Sequence, residues 1–178
     1  PDRDHILIGK ERHDLGRPGD VGYPIRGIFK GDYLYLWNIE PDRWPAGNPE
    51  TGYLDTDGSP TKTRILERGR QNRSDPFWQL NFGLRPADEL YDLRTDADCV
   101  HNLAAEPAYR ERAAMLRQRM EAALKAQDDP RMSGQGQLFD HYPPTQGDGS
   151  YEKFKRGEKV NAGWVNETDF EREAIPRQ

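Results

Sequence analysis

The segment from residue 85 to residue 104 constrains the fold most, because signals for turns, a strand and a helix follow one another along it. Its sequence is RPADELYDLRTDADCVHNLA. Residues 85–88 contain Pro86 and Asp88 and are typical of a turn, whereas residues 89–93 predict a short strand. An acidic turn follows at residues 95–98. Asn102 and Leu103 then lead towards a helix, so the segment predicts a turn, a strand, a second turn and a helix in that order.

The strongest helix prediction covers residues 106–126. Pro107 stands near its first position, where a missing backbone N–H costs nothing. Asp129 followed by Pro130 ends the helical pattern. Apolar residues recur at spacings of three and four and predict one buried stripe, formed by Tyr109, Ala113, Leu116, Met120, Ala123 and Leu124.

Two β-rich runs near the start of the chain predict an antiparallel hairpin. They cover residues 23–29 and 33–38 and flank Gly31. In the second run, alternation puts Tyr33, Tyr35 and Trp37 on one face and the two leucines on the other. Residues 5–9 form a short apolar run that ends in glycine, which predicts a buried strand.

The remaining segments are rich in turn residues. Prolines and glycines between residues 40 and 74 predict an irregular loop without a long regular element, and Trp44 and Tyr53 favour a loop that is ordered and packed on a surface. Residues 76–83 fit either a short helix or a bent strand. Beyond Met132 the chain is polar with scattered aromatic residues, among them Trp164, which predicts a tail that wraps over another surface and frays over its last dozen residues.

Composition limits the size of the core and excludes some functions. Hydrophobic residues make up 34%, charged residues 32%, and the mean hydropathy is -1.06, which favours a small sheet-and-helix layer that leans on something larger. The net charge is -5, and the scattered lysines and arginines predict no nucleic-acid partner. No apolar run approaches the roughly 20 residues that span a bilayer. A single cysteine excludes an internal disulfide framework.

The ELYDL strand, the following aspartate and the NLA helix start resemble the C-terminal subdomain of the sulfatases. Further runs resemble the same family in the same order, and more narrowly the bacterial sulfatases related to N-sulphoglucosamine sulphohydrolase (heparan N-sulfatase). Together they cover about three quarters of the chain. They are GKERH at residues 9–13, GYPIR at 22–26, GDYLY at 31–35, PDRWP at 41–45, PTKT at 60–63, RPA at 85–87 and DPR at 129–131.

This resemblance implies an α+β fold of the alkaline-phosphatase-like superfamily. A small antiparallel sheet would pack against a long C-terminal helix and would be preceded by an edge strand of a missing α/β domain. On this basis we expect residues 1–20 to end the N-terminal catalytic domain. Residues 21–132 would form the C-terminal subdomain, and residues 133–178 a polar wrapping tail.

The resemblance also implies a sulfuric ester hydrolase whose attacking group lies elsewhere. In the family, a Cys in a C-x-P-S/A-x-R motif becomes the formylglycine nucleophile, and aspartates and an Asn bind calcium. Cys99 stands in a different context, so both sites are expected upstream of Pro1, and the chain alone is expected to be inactive. The implied substrate is a sulfate ester or sulfamate on a glycan. The implied location is periplasmic or secreted.

Four polar residues directly after the first strand are the main candidates for binding this substrate: Lys10, Glu11, Arg12 and His13. Cations suit sulfate oxygens, whereas a carboxylate or an imidazole can hold hydroxyl or amine hydrogens. Spacing alone fits a solvated turn equally well. The resemblance favours a role at the pocket rim, chiefly for Arg12 and His13.

Three further candidates are Tyr23, Arg26 and Lys62. Arg26 could face the substrate or could be a structural arginine that pairs the subdomain with the main domain. Lys62 could reach an anionic ligand, although most loop lysines are only solvated.

Other titratable residues carry weaker signals. Neighbouring carboxylates would raise the pKa of Cys99, so a nucleophile pair with His101 is rejected. Asp92, Asp96 and Asp98 lack the spacing of a calcium loop and are expected to cap a turn or helix. His5 and His141 have no partners at zinc-ligand spacing.

Two rival functions remain open. The first is a non-catalytic carbohydrate-binding or interaction module in which the aromatic strand, or Trp44 and Tyr53, stack on sugars. The second is a phosphatase or phosphonate hydrolase of the same superfamily, which the heparan-N-sulfatase-like runs disfavour.

Overall fold

The fold is mixed α+β and is built around one antiparallel sheet. The computed structural model describes residues 4–13, 15–143, 150–158, 165–171, 173 and 175. The sheet has four strands in the order β1-β2-β3-β4, with β1 at Ile6–Lys10, β2 at Ile25–Lys30, β3 at Tyr33–Asn38 and β4 at Asp88–Asp92. The predicted α+β class, the hairpin and the last strand are therefore confirmed.

The chain divides into two compact units, each made of three segments. The sheet unit comprises Pro1–Glu11, Pro24–Glu40 and Pro86–Phe139, and the second unit comprises Arg12–Tyr23, Pro41–Arg85 and Asp140–Gln178. The division predicted at residues 20 and 132 refers to a larger sulfatase and stays a prediction.

A long helix covers one face of the sheet. After a 3-10 turn at Pro107–Tyr109, helix α3 runs over Arg110–Lys125, so the predicted helix and its end before Pro130 are confirmed. A row of cross-strand partners, Leu7, Ile28, Tyr35 and Leu90, packs on the predicted stripe of this helix. Burial of these apolar side chains is the main stabilising contribution to the sheet unit. The stripe's buried members are Leu116, Met120 and Leu124.

Strand β1 differs from its prediction. The expected buried strand is the outermost strand of the sheet, with Ile6 61% and Ile8 41% exposed. It pairs antiparallel with β2 and so belongs to the four-stranded sheet. A short apolar run was insufficient to distinguish an exposed edge strand from a buried central one.

Helix α1, at Pro60–Gln71, overturns the prediction that no long regular element lies between residues 40 and 74. The hydroxyl of Ser59 accepts a hydrogen bond from the Lys62 N–H and caps the helix. Pro60 follows at the start of the helix, where its ring fits and its missing N–H would have no partner. Pro60 therefore begins a helix of 12 residues and does not interrupt one.

Residues 76–83, which fit either a short helix or a bent strand by sequence, form helix α2 at Pro76–Phe82. The Asp75 carboxylate accepts hydrogen bonds from the N–H groups of Phe77 and Trp78, which favours the helix start. The remaining short elements are α4 at Leu138–His141 and α5 at Ser150–Lys155, with 3-10 turns at Pro18–Asp20, Pro49–Thr51, Pro130–Ser133 and Glu167–Asp169.

The second unit has an aromatic core of its own. The rings of Tyr53 and Phe82 lie with centroids 4.8 Å apart, and those of Trp44 and Trp78 lie 6.5 Å apart, edge to face. Gly69 of α1 allows the close approach of Trp78, since a Cβ there would lie 2.1 Å from the indole ring. The prediction that the loop around Trp44 and Tyr53 is ordered and packed is confirmed.

Residues 167–171, the first part of the segment expected to fray, have a defined structure, whereas residues 172, 174 and 176–178 lie outside the described residues. Asp169 is fully buried, accepts a hydrogen bond from Thr63 at 3.1 Å and lies 3.5 Å from the Lys62 ammonium. Trp164 lies outside the described residues. Within the part of the chain that the structure describes, no helix has the length and apolar character needed to cross a membrane.

Candidate functional site

Arg26 is the central residue of a polar cluster in the sheet unit. It lies on β2 opposite Gly9 of β1, and only 5% of the residue is exposed. Its guanidinium donates to the Asp129 carboxylate at 2.7 Å, lies 2.7 Å from a carboxylate oxygen of Glu11 and donates to the Ile25 carbonyl at 2.9 Å. The planar guanidinium can engage all three acceptors at once.

A second arginine extends the cluster. Arg131 donates through its guanidinium to Glu11 at 2.7 Å and through its backbone N–H to Asp129 at 2.8 Å. Glu11 therefore lies between two arginines, and each carboxylate has more than one donor. Such a network holds its side chains in fixed positions.

Burial and ion pairing act in opposite directions on Arg26. Burial by itself would lower the pKa of its guanidinium, but hydrogen bonds and charge attraction from Asp129 and Glu11 outweigh burial and raise the pKa. The group is thus a permanent cation and is not available for proton transfer.

The cluster forms part of the wall of a cavity of about 320 Å³ that lies within the sheet unit. The Phe139 ring contributes an aromatic wall, with its centroid 5.8 Å from the Arg26 guanidinium carbon and 5.4 Å from that of Arg131. Apolar atoms and charged groups therefore lie side by side. The other lining residues are Leu7, Ile8, Gly9, Lys10, Glu11, Leu124, Gln127 and Asp129.

This combination suits a polar ring compound that carries an anionic substituent. The carboxylates and the Gln127 amide can accept hydrogens from hydroxyl or amine groups, and Lys10 can donate to anionic oxygens. An aromatic ring beside such groups can cover the apolar face of a sugar. The lining contains no hydroxyl or thiol side chain, so the described wall supplies binding groups and not a nucleophile.

The structure brings together three of the residues predicted from the sequence. Lys10, Glu11 and Arg26 line the same cavity. Arg12 and His13 belong to the second unit. The Arg12 side chain donates to the carbonyls of Tyr142 at 2.7 Å and Asp20 at 3.2 Å, and His13 is exposed. The predicted rim role of these two residues stays a prediction.

Lys62 lies away from any open surface, because only 2% of the residue is exposed. Its ammonium donates to the carbonyls of Gly52 at 2.7 Å, Tyr53 at 3.2 Å and Thr56 at 2.6 Å. Burial lowers its pKa, against the raising influence of Asp169. In this conformation the ammonium stabilises a backbone loop, so contact with an anionic ligand has no support at Lys62.

Tyr23 is also buried, with 1% exposure, and the Arg17 guanidinium lies 5.9 Å from its ring centroid.

The aromatic residues considered as a sugar-stacking surface are buried or have an arginine over the ring. Trp44 and Tyr53 are buried in the second unit. On β3, Tyr35 is fully buried, and the guanidiniums of Arg112 and Arg117 lie over the rings of Tyr33 and Trp37.

Sequence reasoning missed four residues of the cavity lining, namely Asp129, Phe139, Leu124 and Gln127. It also missed Arg131, which pairs with Glu11 of the lining. The run Asp129-Pro130-Arg131 was noticed only as a helix stop and a family signature. Its ion pair with Arg26 joins residues 103 positions apart, and no local spacing rule reveals such a pair.

The acidic turn after β4 is a capped turn. The Asp96 carboxylate accepts hydrogen bonds from the N–H groups of Val100 at 3.0 Å and His101 at 2.8 Å, which confirms a capping role for this residue. Burial, followed by the charges of Asp96, Glu89 and Asp98, raises the pKa of Cys99, as the sequence predicts. Across the described residues, no three His, Cys, Asp or Glu side chains form a group that could hold a metal ion.

No model of a known protein family matches the chain, and no curated protein matches it either. The sulfatase resemblance therefore rests on the sequence runs alone and stays a prediction.

Proposed function

We propose that this chain is the substrate-recognising, C-terminal part of a formylglycine-dependent sulfatase that acts on a glycan. The observation that carries the proposal is the cavity of the sheet unit, where Lys10 at the end of β1 and Glu11 directly after it lie beside the buried Arg26 and the Phe139 ring. Three of the residues that the family resemblance selects thus line one cavity.

The charges around this cavity fit a sulfated sugar better than a neutral one. The lining has two cations, Lys10 and Arg26, and two carboxylates, Glu11 and Asp129. Arg131, which does not line the cavity but pairs with Glu11, adds a third cation to the cluster. The carboxylates already orient the arginines, which leaves lone pairs for sugar hydroxyls. Lys10 can provide a charge-assisted hydrogen bond to a sulfate oxygen.

The fold is compatible with the proposed subdomain. The ELYD segment is the last strand of a four-stranded antiparallel sheet, and a helix of 16 residues packs against that sheet. In the complete enzyme, a hydrated formylglycine would attack sulfur while calcium stabilised the sulfate oxygens. The residues of this chain would bind and orient the sugar.

Binding of a sulfated amino-sugar disaccharide and its unsulfated counterpart to the 178-residue chain tests the recognition role. We expect the sulfated sugar to bind at least about tenfold more tightly, which corresponds to about 1.4 kcal/mol. Lys10→Gln should remove most of this preference, whereas Lys125→Gln on the exposed side of α3 should retain it. Isothermal titration calorimetry measures both. Equal affinity for the two sugars would refute recognition of sulfate by this cavity.

The catalytic part of the proposal has a separate test. The chain alone should not hydrolyse an aryl sulfate, and turnover by the purified chain would contradict the proposed division of labour. A reading frame directly upstream should encode a C-x-P-S/A-x-R motif, and the protein that joins the two parts should release sulfate.

A non-catalytic carbohydrate-binding module is the second candidate. It is favoured by the location of the cavity, which is formed entirely by residues of the sheet unit. Sugar binding by the chain, together with an upstream sequence that lacks the formylglycine motif, would favour this function over the sulfatase.

A further inference from the structure

Gly9 lies inside strand β1, where a glycine costs stability. It pairs with Arg26 of β2. Glycine weakens a strand because it has no side chain to pack and loses more backbone freedom on folding than any other residue. A glycine within a strand usually marks a bulge, a tight bend or the close approach of a ligand or another backbone.

Neither the backbone conformation nor the packing around Gly9 requires a glycine. Its φ lies outside the left-handed region that favours this residue. The pairing of β1 with β2 is regular from Ile6 to Lys10, so no bulge occurs at this position. A Cβ on Gly9 would have its three nearest atoms in the Arg26 side chain, with Cδ and Nη1 at 3.7 Å and Cζ at 3.9 Å. These are ordinary contact distances, so a side chain would fit.

Gly27 of the neighbouring strand β2 shows the opposite case, in which packing does require glycine. A Cβ on Gly27 would lie 2.7 Å from a methyl carbon of Leu36 and 3.0 Å from the carbonyl oxygen of Tyr35. Real Cβ atoms do not approach other atoms as closely as the shorter of these distances. Crowding therefore explains Gly27 and leaves Gly9 without a structural reason.

The missing side chain of Gly9 opens space beside Arg26. The two residues lie directly opposite each other on adjacent strands, so they face the same side of the sheet, and both line the cavity of the sheet unit. Leu7, the preceding residue of β1 on this side, packs against the core beneath α3. Gly9 is exposed. Any side chain at position 9 would thus occupy part of the cavity next to Arg26.

The other walls of this space are fixed in position. The N–H groups of Arg26 are engaged by the carboxylates of Asp129 and Glu11 and by two backbone carbonyls. The Phe139 ring centroid lies 5.8 Å from the Arg26 guanidinium carbon. A ligand beside Gly9 would therefore meet the backbone of a strand, a held guanidinium and an aromatic ring, which together suit one ring of a sugar.

We propose that Gly9 is a specificity-determining residue of this cavity, and that one ring of the bound ligand lies against the β1 backbone in the space that a side chain would fill. This inference rests on the function proposed above, in which the ligand of the same cavity is a sulfated sugar. A single methylene changes the fit of a ligand in a pocket by roughly 10–200-fold. Position 9 accordingly limits the size of the group that the cavity accepts.

A series of side-chain sizes at position 9 tests the inference. Isothermal titration calorimetry would compare the wild type, Gly9→Ala and Gly9→Val in binding the sulfated amino-sugar disaccharide and its unsulfated counterpart. We expect Gly9→Val to bind the sulfated sugar at least about tenfold more weakly than the wild type, with Gly9→Ala between the two. Ile6→Val changes the same strand outside the cavity lining, so this matched control should keep the wild-type affinity.

The melting temperature distinguishes a glycine kept for a ligand from one kept for the fold. Gly9→Ala should raise the melting temperature by roughly 1–4 °C, because alanine restricts the unfolded chain and fits the strand without crowding. Gly27→Ala should lower it, because its Cβ would overlap Leu36. A variant at position 9 that is more stable but binds more weakly is the result that a purely structural glycine does not produce.

The outcomes separate this inference from the proposed function. Wild-type affinity in Gly9→Val, or a lowered melting temperature in Gly9→Ala, would overturn the inference and leave recognition of the sulfated sugar standing. If the wild type bound both sugars equally and Gly9→Val bound neither, the role of Gly9 would be supported and recognition of sulfate refuted. Absence of binding of either sugar to the wild type would overturn both proposals.

Discussion

Two buried cations that were selected from the sequence, Arg26 in the sheet unit and Lys62 in the second unit, differ in their partners. Arg26 in the sheet unit is surrounded by the carboxylates of Glu11 and Asp129 at the wall of a cavity. Lys62 in the second unit donates to three backbone carbonyls and has one carboxylate, Asp169, at a longer distance of 3.5 Å. The pKa of Arg26 is raised, and that of Lys62 is lowered.

This difference shows how two candidates selected for the same reason can have different roles. Both residues are cations in family-like sequence runs, and both seemed suited to an anionic ligand. The three donors of an ammonium match three carbonyl oxygens of a loop, so Lys62 is fully engaged by its own chain. Arg26 is held in place by carboxylates while lining a cavity, which is what a pre-organised binding residue requires.

The largest expected effect follows from removing Lys62. Lys62→Met would leave three carbonyl oxygens and the buried Asp169 without their cation, so we expect a loss of about 3–5 kcal/mol in the free energy of unfolding. Urea denaturation measures the loss, and Lys125→Met, at an exposed lysine of α3, is the control. A loss below about 1 kcal/mol would show that the buried ammonium is not a structural group.

Replacing Arg26 should cost less, because its partners keep other donors. After Arg26→Met, Glu11 still pairs with Arg131, and Asp129 still accepts from the Arg131 N–H. We expect a loss of about 1.5–3 kcal/mol by urea denaturation, typical of hydrogen bonds to charged groups. Arg110→Met, at an exposed arginine, should change stability little. If Arg26→Met cost more than Lys62→Met, the proposed difference between the two units would be reversed.

Removing the neutral side chain of Asn102 in the sheet unit should lower the free energy of unfolding still less. The Asn102 side chain accepts a hydrogen bond from the Leu90 N–H at 2.9 Å and donates to the Asp88 carbonyl at 3.0 Å, on the outer edge of β4. Asn102→Ala removes both bonds, and we expect a loss of about 1–2 kcal/mol in the free energy of unfolding. Hydrogen exchange at the Leu90 amide should become faster, because that N–H donates to the Asn102 side chain. Asn81→Ala, at an exposed position in α2, is the control. Unchanged protection at Leu90 would exclude the edge-covering role.

The smallest expected effect concerns Cys99. Burial raises the pKa of this thiol, whereas it lowers the pKa of the Lys62 ammonium. Burial favours the neutral form of both groups, so it lowers the pKa of an ammonium and raises that of a thiol. We expect the alkylation rate of folded Cys99 to rise with pH at a higher midpoint than in the urea-unfolded chain. Asp96→Asn should lower that midpoint, because it removes a neighbouring charge. A folded midpoint at or below the unfolded one would contradict the cause.

Much of the sheet unit was predictable from local signals. The β2–β3 hairpin, β4 and α3 each follow from turn residues or a periodic apolar stripe within a short window. The cavity was predictable only in part. The sequence selected Lys10, Glu11 and Arg26 but not Asp129 and Phe139. The last two lie more than 100 positions from Arg26 in the sequence, so no local pattern shows that they come close to it in the fold.

The second unit was less predictable. Prolines were interpreted as interruptions, although the Ser59 cap makes Pro60 a helix start. The end of the chain was expected to fray, although Asp169 is buried beside Lys62 and Thr63. In both cases the deciding interaction was a specific cap or a distant partner, and average residue preferences contain neither.

The sequence by itself determined where the hairpin, the last strand and the long helix lie, because hydrophobic periodicity and turn residues act over a few positions. Only the tertiary structure decided that β1 is an exposed edge, that Lys62 is enclosed and that Arg26 meets Asp129. The physical reason is that burial and ion pairing depend on which distant segments come together, and the chain must fold before those distances exist.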